Sequence, residues 1–71
     1  MVAGIPGVNH QDAIRAFGKA GFQVLRQGKH VVMTDGNRRL IIPRHNPLKA
    51  FTLGIIVRDA GLTADEFRAL L

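Results

Sequence analysis

The chain has 71 residues, with ten Lys and Arg against five Asp and Glu, no cysteine, a formal charge of +5 at pH 7 and a pI near 11.3. The missing cysteines exclude disulfides, zinc ribbons and thiol catalysis, no apolar run approaches the roughly 20 residues of a membrane helix, and residues 1–7 lack the basic start and apolar core of a signal peptide, so a cytoplasmic location is expected. The length fits one domain over residues 1–71 with a small core and only shallow surface sites, and the basic balance points to a polyanionic partner, most often nucleic acid.

Residues 2–8 carry Gly4, Pro6 and Gly7 and read as an extended lead-in. Asn9 can cap a helix, and Asp12 favours the positive end of its dipole. Ala13, Ile14, Phe17 and Ala20 then recur at helical spacing, with Arg15 and Lys19 on the solvent side. Gly21 stops the helix in the left-handed conformation, so it is expected over residues 11–20. Residues 22–26 are rich in strand formers, and Gln27-Gly28-Lys29 is a turn. A second strand spans residues 30–34, Asp35-Gly36-Asn37 is a hairpin signal, and a third strand spans 38–42.

Strands joined by such short turns form an antiparallel meander. His30, Val32 and Thr34 share one face of it and Val31 and Met33 the other. Both sets contain apolar residues, so the pattern does not say which face the helices cover. Residues 43–50 form a polar, basic loop with Arg44, His45 and Lys49. Thr52 can cap a second helix, with Leu53, Ile56, Val57 and Ala60 on one face and Gly61 at its end. Thr63-Ala64-Asp65-Glu66 is a capping box that opens a short last helix carrying Phe67, Leu70 and Leu71. The expected class is α+β, with two helices on one face of a three-stranded antiparallel sheet. The α-β-β-β-α order is also that of the double-stranded-RNA-binding topology.

Chemistry concentrates at Gly28-Lys29-His30. Histidine is the side chain whose ordinary pKa lets it trade protons near neutral pH. At the first position of a strand it is held by sheet hydrogen bonds and lies at an accessible edge. Lys29 and Arg26 beside it would draw an anionic substrate. RNA carries its own nucleophile, the 2′-hydroxyl, so a small protein needs only to move protons and stabilise charge on the phosphorus. His30 is therefore read as the catalytic residue of an RNA-cleaving protein, against the plainer reading of an exposed strand histidine with no role. Arg38, Arg39, Arg44 and Lys49 can track phosphates, or simply form a solvated basic edge. His45 is read as a solvated loop residue, with a second acid or an RNA contact as the alternatives, and His10 as structural or surface. Phe17, Phe22 and Phe67 sit at core spacing, while Phe51 is ambiguous. The five carboxylates are scattered, where a two-metal nuclease needs them clustered. Neither a metal nor a small-molecule cofactor is expected.

Four stretches in order resemble a known family. These are Lys19-Ala20-Gly21-Phe22, Arg26-Gln27-Gly28-Lys29-His30, Ile42-Pro43-Arg44-His45 and Leu62-Thr63-Ala64-Asp65-Glu66-Phe67. Together they resemble the HicA (YcfA-like) toxins over about residues 11–71. The resemblance implies a double-stranded-RNA-binding-like fold, metal-independent endoribonuclease cleavage of messenger RNA, and a HicB-like protein antitoxin that covers the active site. It places the family's catalytic histidine on His30. Two departures stand out. Many members have Gly-Ser-His where this chain has Gly28-Lys29-His30, so a serine hydroxyl is absent and substrate preference could differ. Many have Gly-Thr where this chain has Phe51-Thr52.

Two other classes compete. A non-catalytic RNA-binding module fits the topology and charge equally well and would not need His30. A DNA-binding helix-turn-helix over residues 53–71 ranks last. Asp65 and Glu66 would open its recognition helix, where DNA contacts belong, and residues 61–71 carry one Arg against two acids.

Overall fold

The structure, a computed structural model, describes residues 7–71. Helix α1 spans His10–Lys19, strands β1, β2 and β3 span Gln23–Gln27, His30–Thr34 and Arg39–Pro43, and helices α2 and α3 span Ala50–Asp59 and Ala64–Leu70. The strands form one antiparallel sheet in the order β1-β2-β3. This is the expected α+β meander, with the extra helix at its end. Of the lead-in expected over residues 2–8, only Gly7 and Val8 fall within the described residues. Among the described residues, no helix is long and apolar enough to cross a membrane.

The sheet buries one face only. Val31 and Met33 of β2, and Leu40 and Ile42 of β3, are all within 1% of full burial. They meet Ala13, Ala16 and Phe17 of α1 and Leu53, Ile56 and Val57 of α2 in one core. Both long helices therefore cover the Val31/Met33 side, which settles the face that the sequence pattern left open. Phe17 lies at the centre. Its ring meets Phe22 edge-on at 6.2 Å and Phe67 at 5.0 Å, joining α1, the entry to β1 and α3. Such aromatic pairs add about 0.5–1.5 kcal/mol beyond the area they bury.

Two of the three helices start on a side-chain cap. The Asn9 side chain accepts from the Asp12 N–H at 2.9 Å. Thr63 Oγ1 accepts from the Glu66 N–H at 3.1 Å while Glu66 Oε1 accepts from the Thr63 N–H at 2.8 Å, the expected capping box. Helix α2 departs from expectation. It begins at Ala50 after an N-cap at Lys49, with no side-chain cap, and Thr52 lies inside it. The reason is apolar. Leu48 before the cap and Leu53 four residues after it are both buried, the placement of a hydrophobic staple. Val8 and Ala13 flank the α1 cap in the same way, and Val8 and Leu48 form an antiparallel bridge. Burial of Leu48 therefore sets where α2 starts, overriding a polar cap two residues inside. Elsewhere the boundaries shift by one residue. α1 starts and ends one residue early, and β1 and β3 each start and end one residue late.

Phe67 and Phe51 make a paired test of this core. Phe67 is fully buried and Phe51 is 80% exposed. Phe67→Ala should cost about 3–5 kcal/mol, enough to unfold much of a domain this small. Phe51→Ala should change stability by less than about 0.5 kcal/mol. Urea unfolding of the two variants checks both.

Candidate nucleic-acid interface

The face of the sheet away from the helices is open. On β2 it presents His30, Val32 and Thr34; their partners across the β3 ladder are Pro43, Ile41 and Arg39. Directly paired residues on antiparallel strands point the same way, so these six share the open face. His30 sits at the end of the central strand rather than at an edge of the sheet. Its accessibility comes from the strand end and the uncovered face. The carbonyl of His30 accepts from the Gly28 N–H at 3.1 Å, which closes the β1–β2 turn against it. The His30 ring has no hydrogen-bond partner among the described residues.

Strand β1 reaches this face through a bulge. Val24 pairs with Met33, but the register then shifts, and Arg26 pairs with Val32. In an unbroken ladder Leu25 would face Val32, and Arg26 would face Val31 on the core side. The extra residue, Leu25, turns Arg26 onto the open face. A bulge of this kind re-aims a side chain and twists an edge strand away from pairing with other chains.

These elements enclose a shallow depression of about 580 Å³. Arg26, Lys29, His30 and Arg39 supply its polar lining, and Leu25, Val32 and Ile41 its apolar lining. Among the described residues, no acidic one lines it. Three cations thus line the same groove as an imidazole, and among the described residues nothing anionic lines it to offset them. Strands rise about 3.3 Å per residue, so Arg39, opposite Thr34, lies roughly 13 Å along the groove from His30.

The structure thus brings together four of the eight residues singled out from sequence: His30, Lys29, Arg26 and Arg39. The other four lie elsewhere. The Arg38 guanidinium lies over Gly61, whose φ is +78°, at the turn between α2 and α3. Arg44 and His45 are exposed in the loop after β3, and Lys49 is the N-cap of α2. None of these four lines the groove. His10, read as structural or surface, ties the start of α1 to the loop after β3. Its backbone N–H donates to Asn46 Oδ1 at 2.9 Å and its ring Nδ1 meets the same oxygen at 2.9 Å. Sequence reasoning missed Leu25, Val32 and Ile41 as site residues. Leu25 and Ile41 are 55% and 57% exposed, and only the pairing register shows that they share a face with His30.

A family model for the HicA toxin of bacterial toxin–antitoxin systems matches residues 11–62. The chain belongs to the HicA toxin family. The match runs from α1 through the whole sheet and α2, and so includes every residue of the groove. It gives the HicA chain the role of a toxin in a toxin–antitoxin pair, and with it an antitoxin partner. No curated protein sequence matches the chain.

The turn that sets the β2–β3 register titrates. Asp35 Oδ1 accepts from the Arg38 N–H at 2.6 Å and the Asn37 N–H at 2.8 Å. These bonds, that from Arg38 first, hold its carboxyl below the ordinary value of 3.8. A carboxyl depressed in the folded state stabilises fully above its unfolded pKa, and that contribution is lost as pH falls through the folded pKa. The Asn37 and Arg38 amide resonances should therefore titrate with a midpoint below 3.8, read by NMR. A midpoint at or above 3.8 would contradict these bonds.

Proposed function

We propose that this HicA toxin is a metal-independent endoribonuclease that cleaves messenger RNA in the open-face groove, with His30 as its catalytic residue. The observation that carries this reading is the composition of the groove. One exposed imidazole with an unengaged ring stands beside Lys29 and Arg26, with no acidic side chain in the lining. Groups of that kind suit a substrate that is anionic and brings its own nucleophile.

In the proposed reaction the ribose 2′-oxygen bonds to the adjacent phosphorus and the bond from phosphorus to the 5′-oxygen breaks. The products are a 2′,3′-cyclic phosphate and a free 5′-hydroxyl. The 2′-hydroxyl must lose a proton and the leaving oxygen must gain one. His30 takes the first proton, water donates the second, the hydroxide so formed takes the proton back from His30, and Lys29 and Arg26 stabilise the charge that builds on the phosphorane oxygens. Among the described residues no carboxylate or hydroxyl positions His30, so the bound phosphate itself aligns the imidazole. The lysine at position 29 stands where many family members have serine, and it exchanges a hydroxyl for a cation next to the reacting phosphate.

The partner reading follows from the same face. A small acidic antitoxin of the HicB kind would complement the three cations and, by covering the groove, block RNA from His30. Both proteins and the messenger RNA would then meet in the cytoplasm. Among the described residues, no three His, Asp or Glu side chains group as metal ligands, and the groove offers a metal no carboxylate. Cleavage should accordingly be unchanged in EDTA. Cleavage abolished by EDTA and restored by magnesium would overturn the mechanism.

His30→Ala separates this reading from a non-catalytic RNA-binding module. The side chain is exposed and outside the core, so stability should move by less than about 0.5 kcal/mol. Lys29, Arg26 and Arg39 remain, so RNA affinity should persist. Cleavage should fall by about 10²–10⁴-fold, the usual worth of a general base, and growth arrest on expression should go with it. Cleavage at the parent rate would leave only RNA binding to the groove.

A further inference from the structure

We infer that the apolar lining of this groove is a nucleobase platform, with Ile41 at its centre and Arg39 as a phosphate clamp beyond it. The toxin would thereby take single-stranded RNA by its bases as well as by its backbone. This inference rests on RNA being the ligand of the groove.

Three observations lead to it. First, Ile41 and Leu25 are more than half exposed, which costs a free protein solubility, and neither belongs to the core. Second, they are not scattered. Ile41 pairs with Val32, Val32 pairs with Arg26, and Leu25 is the bulged residue beside Arg26. The bulge that turns Arg26 outward also leaves Leu25 in the groove lining. Third, cations lie at both ends of this apolar strip. Lys29 and His30 lie at one end, Arg39 at the other, and Arg26 flanks the middle. An apolar floor between cations, without acids, complements a chain that alternates flat apolar faces with anions.

The spacing adds a substrate class. His30 and Arg39 stand roughly 13 Å apart along the strands. Arg39 is thus too far along the groove to share the phosphate at His30 and would hold another phosphate further along the strand. The intervening base lies over Val32 and Ile41. A duplex keeps its bases stacked inside and offers a protein mainly phosphates and 2′-hydroxyls. It could reach Lys29 and Arg39 but not the floor.

The test uses the full chain and two oligomers of equal length and charge. One is a 2′-O-methyl RNA octamer, which binds but lacks the attacking hydroxyl. The other is its fully abasic counterpart. The parent protein should bind the base-bearing octamer about tenfold more tightly, toward the lower part of the range for stacking on aromatic platforms because this floor is aliphatic. Ile41→Thr keeps a β-branched residue in the strand but breaks the apolar floor, and it should cut this preference to under about threefold. Ile41→Leu should retain it. Arg39→Gln should weaken both octamers alike and lower the salt slope by about 0.7, one phosphate contact on a single strand.

Equal affinity for the two octamers in the parent, or a preference that survives Ile41→Thr undiminished, would overturn the inference. Cleavage of unmodified RNA is scored separately. Cleavage without base preference removes the platform and leaves the ribonuclease reading intact. Base-dependent binding without cleavage does the reverse. Failure to bind either octamer would overturn both.

Discussion

The groove depends on the one-sided burial of β2. As the central strand it is paired on both sides, so its side chains have only two directions. Val31 and Met33 take the core direction and are within 1% of full burial, which forces His30 and Val32 outward. A slip of one residue would exchange the two sets. It would bury His30 and expose Met33, at the combined cost of an unpartnered polar group in the core and lost apolar burial. The position of the histidine is thus secured by residues that have no part in any reaction. The β3 ladder passes the same constraint on, because Leu40 and Ile42 are buried opposite Met33 and Val31, leaving Arg39 and Ile41 outside.

Much of this was legible in the sequence, and the parts that were not have definite physical causes. Short turns at Gly28-Lys29 and Asp35-Gly36-Asn37 permit only antiparallel neighbours, so the meander could be read directly. The Thr63–Glu66 capping box could be read as well, because it is a local bond between two named side chains. The start of α2 could not. Thr52 is a better cap than Lys49 on local grounds, and a lysine at the positive end of a helix dipole is unfavourable. What decides the start is burial of Leu48 and Leu53 together with the bridge from Leu48 to Val8, a contact across 40 positions of chain. The open face escaped for a related reason: Val31-Val32-Met33 is apolar on both sides, and only the helices show which side they need.

Of the site, the sequence revealed the charges better than the surface that holds them. Lys29 and His30 are adjacent in the chain and stay together in the fold. Arg39 joins them only through the β2–β3 register, and Arg26 only through the bulge at Leu25. A strict alternation over residues 23–27 would have put Arg26 on the core side, so no periodicity argument could have placed it correctly. Arg38 shows the opposite outcome. It is next to Arg39 in the chain, but its side chain crosses to Gly61 at the far turn, where a glycine at positive φ leaves room for a guanidinium within 3.0–3.2 Å of a would-be Cβ. Two neighbouring arginines therefore do different things, one on the groove and one against the helices.

The division between the two faces also explains how a chain of this size can carry a site at all. A domain of about 70 residues has few kilocalories of net stability, and a cluster of three cations adds repulsion to it. Here that repulsion falls on side chains outside the core: none of Arg26, Lys29, His30 or Arg39 belongs to it, and among the described residues it contains no polar or charged side chain. The exposed apolar strip of Leu25, Val32 and Ile41 is set apart in the same way. Substitutions in the groove can therefore alter what it binds while the helix-covered face keeps the fold, and substitutions in the core can unfold the protein without informing on function. That separation makes the chemistry of the open face testable residue by residue in a protein with so little stability to spare.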